Sequence, residues 1–270
     1  MRTVLKIGGS VLEPAPSPEL LAAVVARVQA GDELVVVHGG GKALTGLLDR
    51  LKIPTAFLRG LRVTDEHSLD AALMALAGGT NKKLVAALHA TAHHLGNHTF
   101  RAVGVCGVDA NCVLARVTDP DLGRVGEVCG GYPELLDALL EAGFTPVLAS
   151  LASDGLGGIL NVNADHFAAA CAQLIDAERV VFVTDVEGVL DASGQRIASL
   201  NLGELEAMER DGVIRGGMLP KLAACRQVLD AGVDEVEIIG PEAARHLDRW
   251  EPGHCPGTRV WKEVVEVMET

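Results

Sequence analysis

Aromatic residues are scarce in this 270-residue chain. Five phenylalanines, two tryptophans and one tyrosine make up 3% of it. A core of stacked rings is excluded, so an apolar fraction of 49% has to build the interior from Leu, Val, Ile and Ala. Also missing is any apolar run of the roughly 18 residues that a membrane helix requires. The first apolar stretch breaks at Lys6, Gly8 and Gly9 and does not read as a signal peptide. Basic charge is short as well: 23 Lys and Arg against 36 Asp and Glu leave a net charge of −13. This argues against nucleic acid and against a membrane surface as partners, since both attract excess positive charge. Any anionic ligand must therefore find a locally positive pocket in an acidic protein. The six cysteines (106, 112, 129, 171, 225 and 255) form no C-x-x-C pair and sit mostly in apolar runs. They are expected to be buried, reduced thiols in a cytoplasmic protein. Four histidines at 89, 93, 94 and 98 could bind a metal but read as the polar end of a helix and its loop.

What the chain does contain is alternation. "TVLKIGG" reads as a strand, "PELLAAVVARVQAG" as a helix ending on glycine, and "ELVVVH" as a strand apolar enough to be buried on both faces. "KALTGLLDRL", "EHSLDAALMALAG" and "NKKLVAALHATAHHLG" read as helices, and short strands with turns follow between "FRAVGV" and "GRVGEV". The rest alternates helix "PELLDALLEAG", strand "TPVLAS", helix "ADHFAAACAQLIDA", strand "RVVFVTD", a hairpin at "GVLDASGQRI", helices "NLGELEAMERDG" and "MLPKLAACRQVLDAG", strand "DEVEIIG", helix "PEAARHLDRW" and a closing strand near "GTRVWKEV". Repeated strand–helix units imply an α/β fold with a mainly parallel sheet between helices. Ligands in such folds bind beyond the carboxyl ends of strands. Gly8-Gly9-Ser10, Gly39-Gly40-Gly41, "ASLASDGLGG" and "TDVEGV" all follow strands directly.

"VVVHGGGKALTGLL" has the outline of a phosphate loop but fails as a P-loop, because Val36 replaces its first glycine and Ala43 its Ser or Thr. It also lacks the third glycine of the dinucleotide fingerprint, since Leu44 stands there. Glycines running from a strand into a helix start still leave free N–H groups at a positive dipole end, so an anion is expected on Gly39 to Gly41.

Lys6 lies inside an apolar strand, where a cation is costly unless paired. It is either a snorkelling edge residue or a cation aimed at phosphates. Lys221 falls in the first turn of a helix, where the dipole disfavours a cation, and a local rule broken without gain marks a candidate functional site. In "LNVNADHFAAACAQL", capping explains Asn163 and Asp165, while Asn161 projects to the same side as Asn163 from an extended segment. Two amides and a carboxylate then converge, which suits binding a polar substrate and orienting a lysine. Arg62 in "GLRVTDEH" is a surface charge or a fork donor for a substrate carboxylate. "TDVEGV" is a turn or a nucleotide loop.

The segments "LKIGGS", "VVVHGGGK", "GLRVTD", "GGTNKKLV", "AVGVCGVDA", "LGRVGEV", "LNVNADHFA", "VTDVEGVLD", "IRGGMLPK" and "GTRV" run in order from Val4 to Val260. Together they resemble the amino acid kinase superfamily and, within it, the N-acetyl-L-glutamate kinase family. The resemblance implies one domain with a three-layer αβα sandwich around a mainly parallel sheet. Its substrate and dimerisation lobe would span about 1–176 and its ATP lobe about 177–270. It implies transfer of the γ-phosphoryl of ATP, with Mg²⁺ held mainly by the phosphates, to the γ-carboxylate of N-acetyl-L-glutamate, in arginine biosynthesis. Lys6 and Lys221 would be catalytic cations held by Asp165. Gly40, Gly41, Arg62, Asn161 and Asn163 would bind substrate. Gly8, Gly9, Ser10, Asp185, Val186, Glu187, Gly188, Val189, Leu190, Val213, Ile214, Arg215, Gly217 and Met218 would bind the nucleotide. An attacking carboxylate is already ionised, so no histidine base is required.

The chain departs from the family pattern at Lys42, which either adds substrate-side charge or faces solvent, and at "GVDAN". Arginine-inhibited hexamers of the family carry an extra helix before the first strand, whereas here only Met1 to Thr3 precede Val4, so the resemblance implies a homodimer without arginine feedback. The alternatives are a kinase for an aminoadipate derivative, which differs by one methylene, and a non-catalytic regulator on the same fold. The second is disfavoured by the presence of Lys6, Lys221 and Asp165.

Overall fold

The computed structural model of the chain describes residues 1–214, 218–233, 235–247 and 256–262. Strands β1 (Arg2–Ile7) and β2 (Glu33–His38) lie parallel in register, Ile7 beside His38, with α1 (Pro18–Gln29) crossing between them. Ser17 caps α1 by accepting the Leu20 N–H, and Pro18 sits where no N–H is needed. After β2 come α2 (Gly41–Leu51), a two-stranded hairpin of β3 (Phe57–Leu58) and β4 (Leu61–Arg62), and α3 (Glu66–Ala72), capped by Asp65. The helices read separately from the sequence are joined. A π-helical stretch, Leu73–Thr80, carries α3 into α4 (Asn81–His94) without a break.

Strands β5 (Ala102–Cys106), β6 (Leu114–Arg116) and β7 (Glu127–Gly130) precede α5 (Glu134–Glu141). Then follow β8 (Thr145–Ala149), β9 (Leu151–Ser153), β10 (Ile159–Asn161), α6 (Ala164–Leu174) and β11 (Arg179–Val183). The last part contains β12 (Ser199–Asn201), α7 (Leu202–Arg210), α8 (Met218–Asp230), β13 (Glu235–Ile239), the short α9 (Pro241–Ala244) and β14 (Thr258–Trp261). Eight strands form one sheet in the order β12-β14-β13-β11-β1-β2-β8-β5, parallel throughout except between β13 and β14. A smaller sheet, β10-β9-β6-β7, stands beside it.

Alternation along the central strands produces two cores. Val4, Val35, Val37, Leu148, Val180 and Phe182 pack with Phe167 and Cys171 of α6 and with Leu222 and Cys225 of α8. Leu5, Ile7, Leu34, Val36, Val147, Val181 and Val183 pack with Leu20 and Val24 of α1 and with Leu84 and Leu88 of α4. The result is the expected αβα sandwich, with the parallel sheet buried on both sides.

Two expectations need correction, and the reading of the histidine cluster holds. Cys106, Cys112, Cys171 and Cys225 are buried, but Cys129 is exposed because it lies on β7, in the smaller sheet; Cys255 lies outside the described residues. The helix expected at 241–250 is regular only over Pro241–Ala244, and residues 248–250 lie outside the described residues. The histidine cluster is helix end and loop. His89 Nε2 accepts the Ala102 N–H and the ring packs edge-on to Phe100. Among the described residues no group of three or more His, Cys, Asp or Glu could hold a metal, and no helix is long and apolar enough to cross a membrane.

One buried ion pair has no counterpart in the sequence reading. Arg179 Nε and Nη2 both donate to Glu237 Oε2, at 2.8 and 2.6 Å, across β11 and β13. Burial pushes the Glu237 carboxyl up to about 7, with Arg179 opposing it only in part. A carboxyl whose folded pKa is raised stabilises the fold at low pH and loses that stability as pH climbs from its unfolded value through about 7. Glu237→Gln is therefore expected to remove a fall in stability between about pH 4.5 and 7, read as the wild-type-minus-variant difference in urea unfolding across that range.

Candidate active site

Because β1, β2, β8 and β11 are parallel and in register, the loops after Ile7, His38, Ala149 and Val183 emerge at one edge of the sheet. Two of them touch through backbone alone. A Cβ on Gly9 would lie 3.0 Å from the Gly40 nitrogen and 3.2 Å from the Gly41 nitrogen. Only glycine allows the β1 and β2 loops this approach. A Cβ on Gly40 would meet the Leu76 side chain at 2.6 Å and Thr80 Oγ1 at 3.3 Å, so the π-helical stretch backs the loop from the other side. π-Helical turns are frequent at functional sites. Gly41 opens α2, and a Cβ there would meet nothing within 4 Å.

Lys6 belongs to the α6 side of β1, the same side as Val4, and so points at the start of α6. Its Nζ lies 2.6 Å from Asp165 Oδ1, and Lys221 Nζ lies 3.5 Å from Asp165 Oδ2. All three are largely buried, with side-chain exposures of 6% for Lys6, 8% for Asp165 and 17% for Lys221. Burial lowers the Lys6 pKa and the Lys221 charge lowers it further, while Asp165 pulls it back. Burial alone would raise Asp165, but the two ammonium groups outweigh it and hold the carboxyl below its usual range. Asn163 accepts from the Asp165 and His166 N–H groups and so starts α6 with Asp165 in its first turn.

Next to this triad is a cavity of about 230 Å³, lined by Gly39, Gly40 and Gly41, by Arg62 and Leu61 of the β3–β4 hairpin, and by Ser150, Asn161 and Asn163. Arg62 Nη2 donates to Thr45 Oγ1 at 2.6 Å, and its guanidinium lies 4.8 Å from the centre of the Phe57 ring. Asn161 donates to the buried Thr64 Oγ1 at 3.2 Å. A helix start, backbone N–H groups and an arginine thus face a small hollow whose remaining walls include Leu44, Leu76 and Val162, an arrangement suited to a compact anion with an apolar body.

A model of the amino acid kinase family matches residues 1–240. The chain belongs to that family. It is 40% identical over 261 residues to an acetylglutamate kinase of Solibacter usitatus, covering 96% of this chain and 99% of the relative. It is 43% identical over 253 residues to an acetylglutamate kinase of Acidobacterium capsulatum, covering 92% and 94%. A solved structure from Streptococcus mutans superposes with a TM-score of 0.83 at 28% identity, over 96% of this chain and 98% of the other.

On this amino acid kinase scaffold the nucleotide candidates fall into two groups. Gly8, Gly9 and Ser10 form the turn after β1, with the Gly8 N–H donated to the Val183 carbonyl. Asp185, Val186, Glu187 and Leu190 are exposed in the loop after β11. The Val189 and Ile214 side chains are buried in the core beneath, so there only the backbone is left to meet a ligand. Gly188 is buried, Val213 is exposed and Met218 is half-buried at the start of α8. Arg215 and Gly217 lie outside the described residues. Lys42 is exposed and does not line the cavity.

Sequence reading flagged the segment that begins at Ala149 but did not single out Ser150, and it missed Leu61 and Phe57, which the β3–β4 hairpin brings to the cavity. It also passed over His38, whose burial beside the glycine loop no local pattern signals. Gly9→Ala is expected to cost about 1–3 kcal/mol by forcing the two loops apart, whereas Gly41→Ala leaves thermal unfolding unchanged.

Proposed function

We propose that this protein transfers the γ-phosphoryl group of ATP to the γ-carboxylate of N-acetyl-L-glutamate, the acid-activating step that serves arginine biosynthesis. The observation that carries the proposal is the buried Lys6–Asp165–Lys221 triad beside the cavity that holds Arg62, Asn161 and the glycine loop. Identity of about 40% to acetylglutamate kinases over nearly the whole of both chains supports the choice of acceptor.

In this reading Arg62 takes the α-carboxylate of the acceptor and Asn161 its polar body, with Asn163 at the floor of the cavity. The γ-carboxylate faces Gly40 and Gly41. A carboxylate oxygen attacks the γ-phosphorus, the bond to the bridging oxygen breaks, and ADP leaves with that electron pair. No proton moves, so no general base is needed. The difficulty is repulsion between a carboxylate and a triphosphate. Lys6 and Lys221, from opposite sides of Asp165, supply the cations where negative charge passes from one to the other. The nucleotide would lie over Gly8, Gly9 and Ser10, with Asp185 to Leu190 and the start of α8 around its base and ribose. Both oxygens of Asp165 are engaged by lysines, so it is not free to take a metal. Mg²⁺ would be held chiefly by the phosphates, where it shields their charge. The substrate side then corresponds to about residues 1–176 and the nucleotide side to the remainder, in a homodimer.

A coupled assay of ADP release decides between acceptors. N-acetyl-L-glutamate is expected to exceed an N-acetyl-aminoadipate by about tenfold or more in kcat/KM, since one methylene is worth about 1–3 kcal/mol. The absence of acceptor-dependent ADP release would refute the reading. Lys221→Ala and Lys6→Ala should each lower kcat by about 10²–10³-fold with little change in KM, the signature of a cation that acts in the transition state. Arg62→Lys should instead raise KM for the acceptor, because a point charge cannot replace a fork.

A further inference from the structure

His38 ends β2 immediately before the glycine loop and is fully buried. Its Nδ1 lies 2.8 Å from the Gly39 carbonyl oxygen, which can only accept, so Nδ1 carries a proton. Its Nε2 lies 3.1 Å from Asn81 Nδ2, which can only donate, so Nε2 is bare. The Asn81 amide cannot be turned round, because the same nitrogen donates to the Val147 carbonyl at 2.8 Å. Asn81 is itself fully enclosed; a Cβ on Gly104 would lie 2.0 Å from its Oδ1. The chain thus spends a buried asparagine, and the glycine that makes room for it, on fixing one imidazole.

The consequence falls on the loop. Within one planar trans peptide the carbonyl and the following N–H point in opposite directions. If His38 holds the Gly39 carbonyl, the N–H of Gly40 is turned the other way. Asn81 also follows directly on the π-helical stretch whose Leu76 and Thr80 back Gly40.

We propose that His38, held by Asn81 as the neutral Nδ1–H tautomer, is the positioning residue that aims the Gly40 N–H at the transferring group. This rests on the phosphoryl-transfer reading above. Burial also drops the His38 pKa to about 4, the Gly39 carbonyl opposing this and the nearby Lys82 charge adding to it, so the ring stays neutral at working pH.

The test has a spectroscopic and a kinetic arm. In protein labelled with ¹⁵N-histidine, the ring signal lost in His38→Asn is expected to show a protonated Nδ1 and a bare Nε2 unchanged from about pH 5.5 to 8. A ring that titrates near 6.5, or carries its proton on Nε2, overturns the proposal. His38→Leu, which removes both hydrogen bonds, is expected to lower kcat on N-acetyl-L-glutamate about tenfold to a hundredfold, with KM for ATP within about threefold. His38→Asn, whose amide can still donate to the Gly39 carbonyl, is expected to recover at least about threefold of that loss. Equal kcat in the two variants, or a lower Tm with kcat intact, overturns it. Should the wild-type enzyme not use N-acetyl-L-glutamate at all, the substrate reading falls and the NMR arm alone decides the tautomer.

Discussion

Two lysines converge on one buried carboxylate, and much of the architecture serves that meeting. Lys6 arrives on the central strand β1 and Lys221 on the first turn of α8, while Asp165 comes from the first turn of α6. Each lysine alone would be an unfavourable buried cation, and the two together would repel. Asp165 makes both tolerable and leaves one net positive charge at the strand ends. An acidic protein thereby acquires a positive site without a basic surface. The cost of burying the charges is met by the two apolar cores on either side of the sheet.

The parallel sheet decides where that charge is useful. Strands in register end together, so four loops share one edge. Gly9 and Gly40 let two of these loops touch through bare backbone, with no side chain between them. The continuous helix from Glu66 to His94 adds the other wall. Its π-helical stretch brings Leu76 and Thr80 onto Gly40, and its next residue, Asn81, reaches His38 beneath. Positive charge, free donors and their support are thus assembled from five segments: β1, β2, the helix from Glu66 to His94, α6 and α8.

Much of this was legible locally. A lysine in an apolar strand and a lysine at a helix start each break a local rule, and Asn161 is an amide that capping does not explain; all three lie at the strand ends with Asn163 and Asp165. The alternation of strand and helix was equally plain, since strands buried on both faces read as unbroken apolar runs. What stayed hidden depends on contacts between distant segments. "VVVH" shows a histidine at a strand end, but not that Asn81 accommodates it. Arg179 and Glu237 lie in apolar strands as Lys6 does, yet their pairing follows from β11 lying next to β13. The π-helical join lacks a signal because α and π turns use the same residues.

The sequence by itself determined the elements, the apolar pattern of the two cores and the residue types available for handling an anion, because each follows from backbone propensity and periodicity within a few residues. Only the tertiary structure decided which loops meet, which buried charges neutralise one another and which proton His38 carries. Those outcomes depend on sheet order and on distances of a few ångströms between segments that are neighbours only after folding.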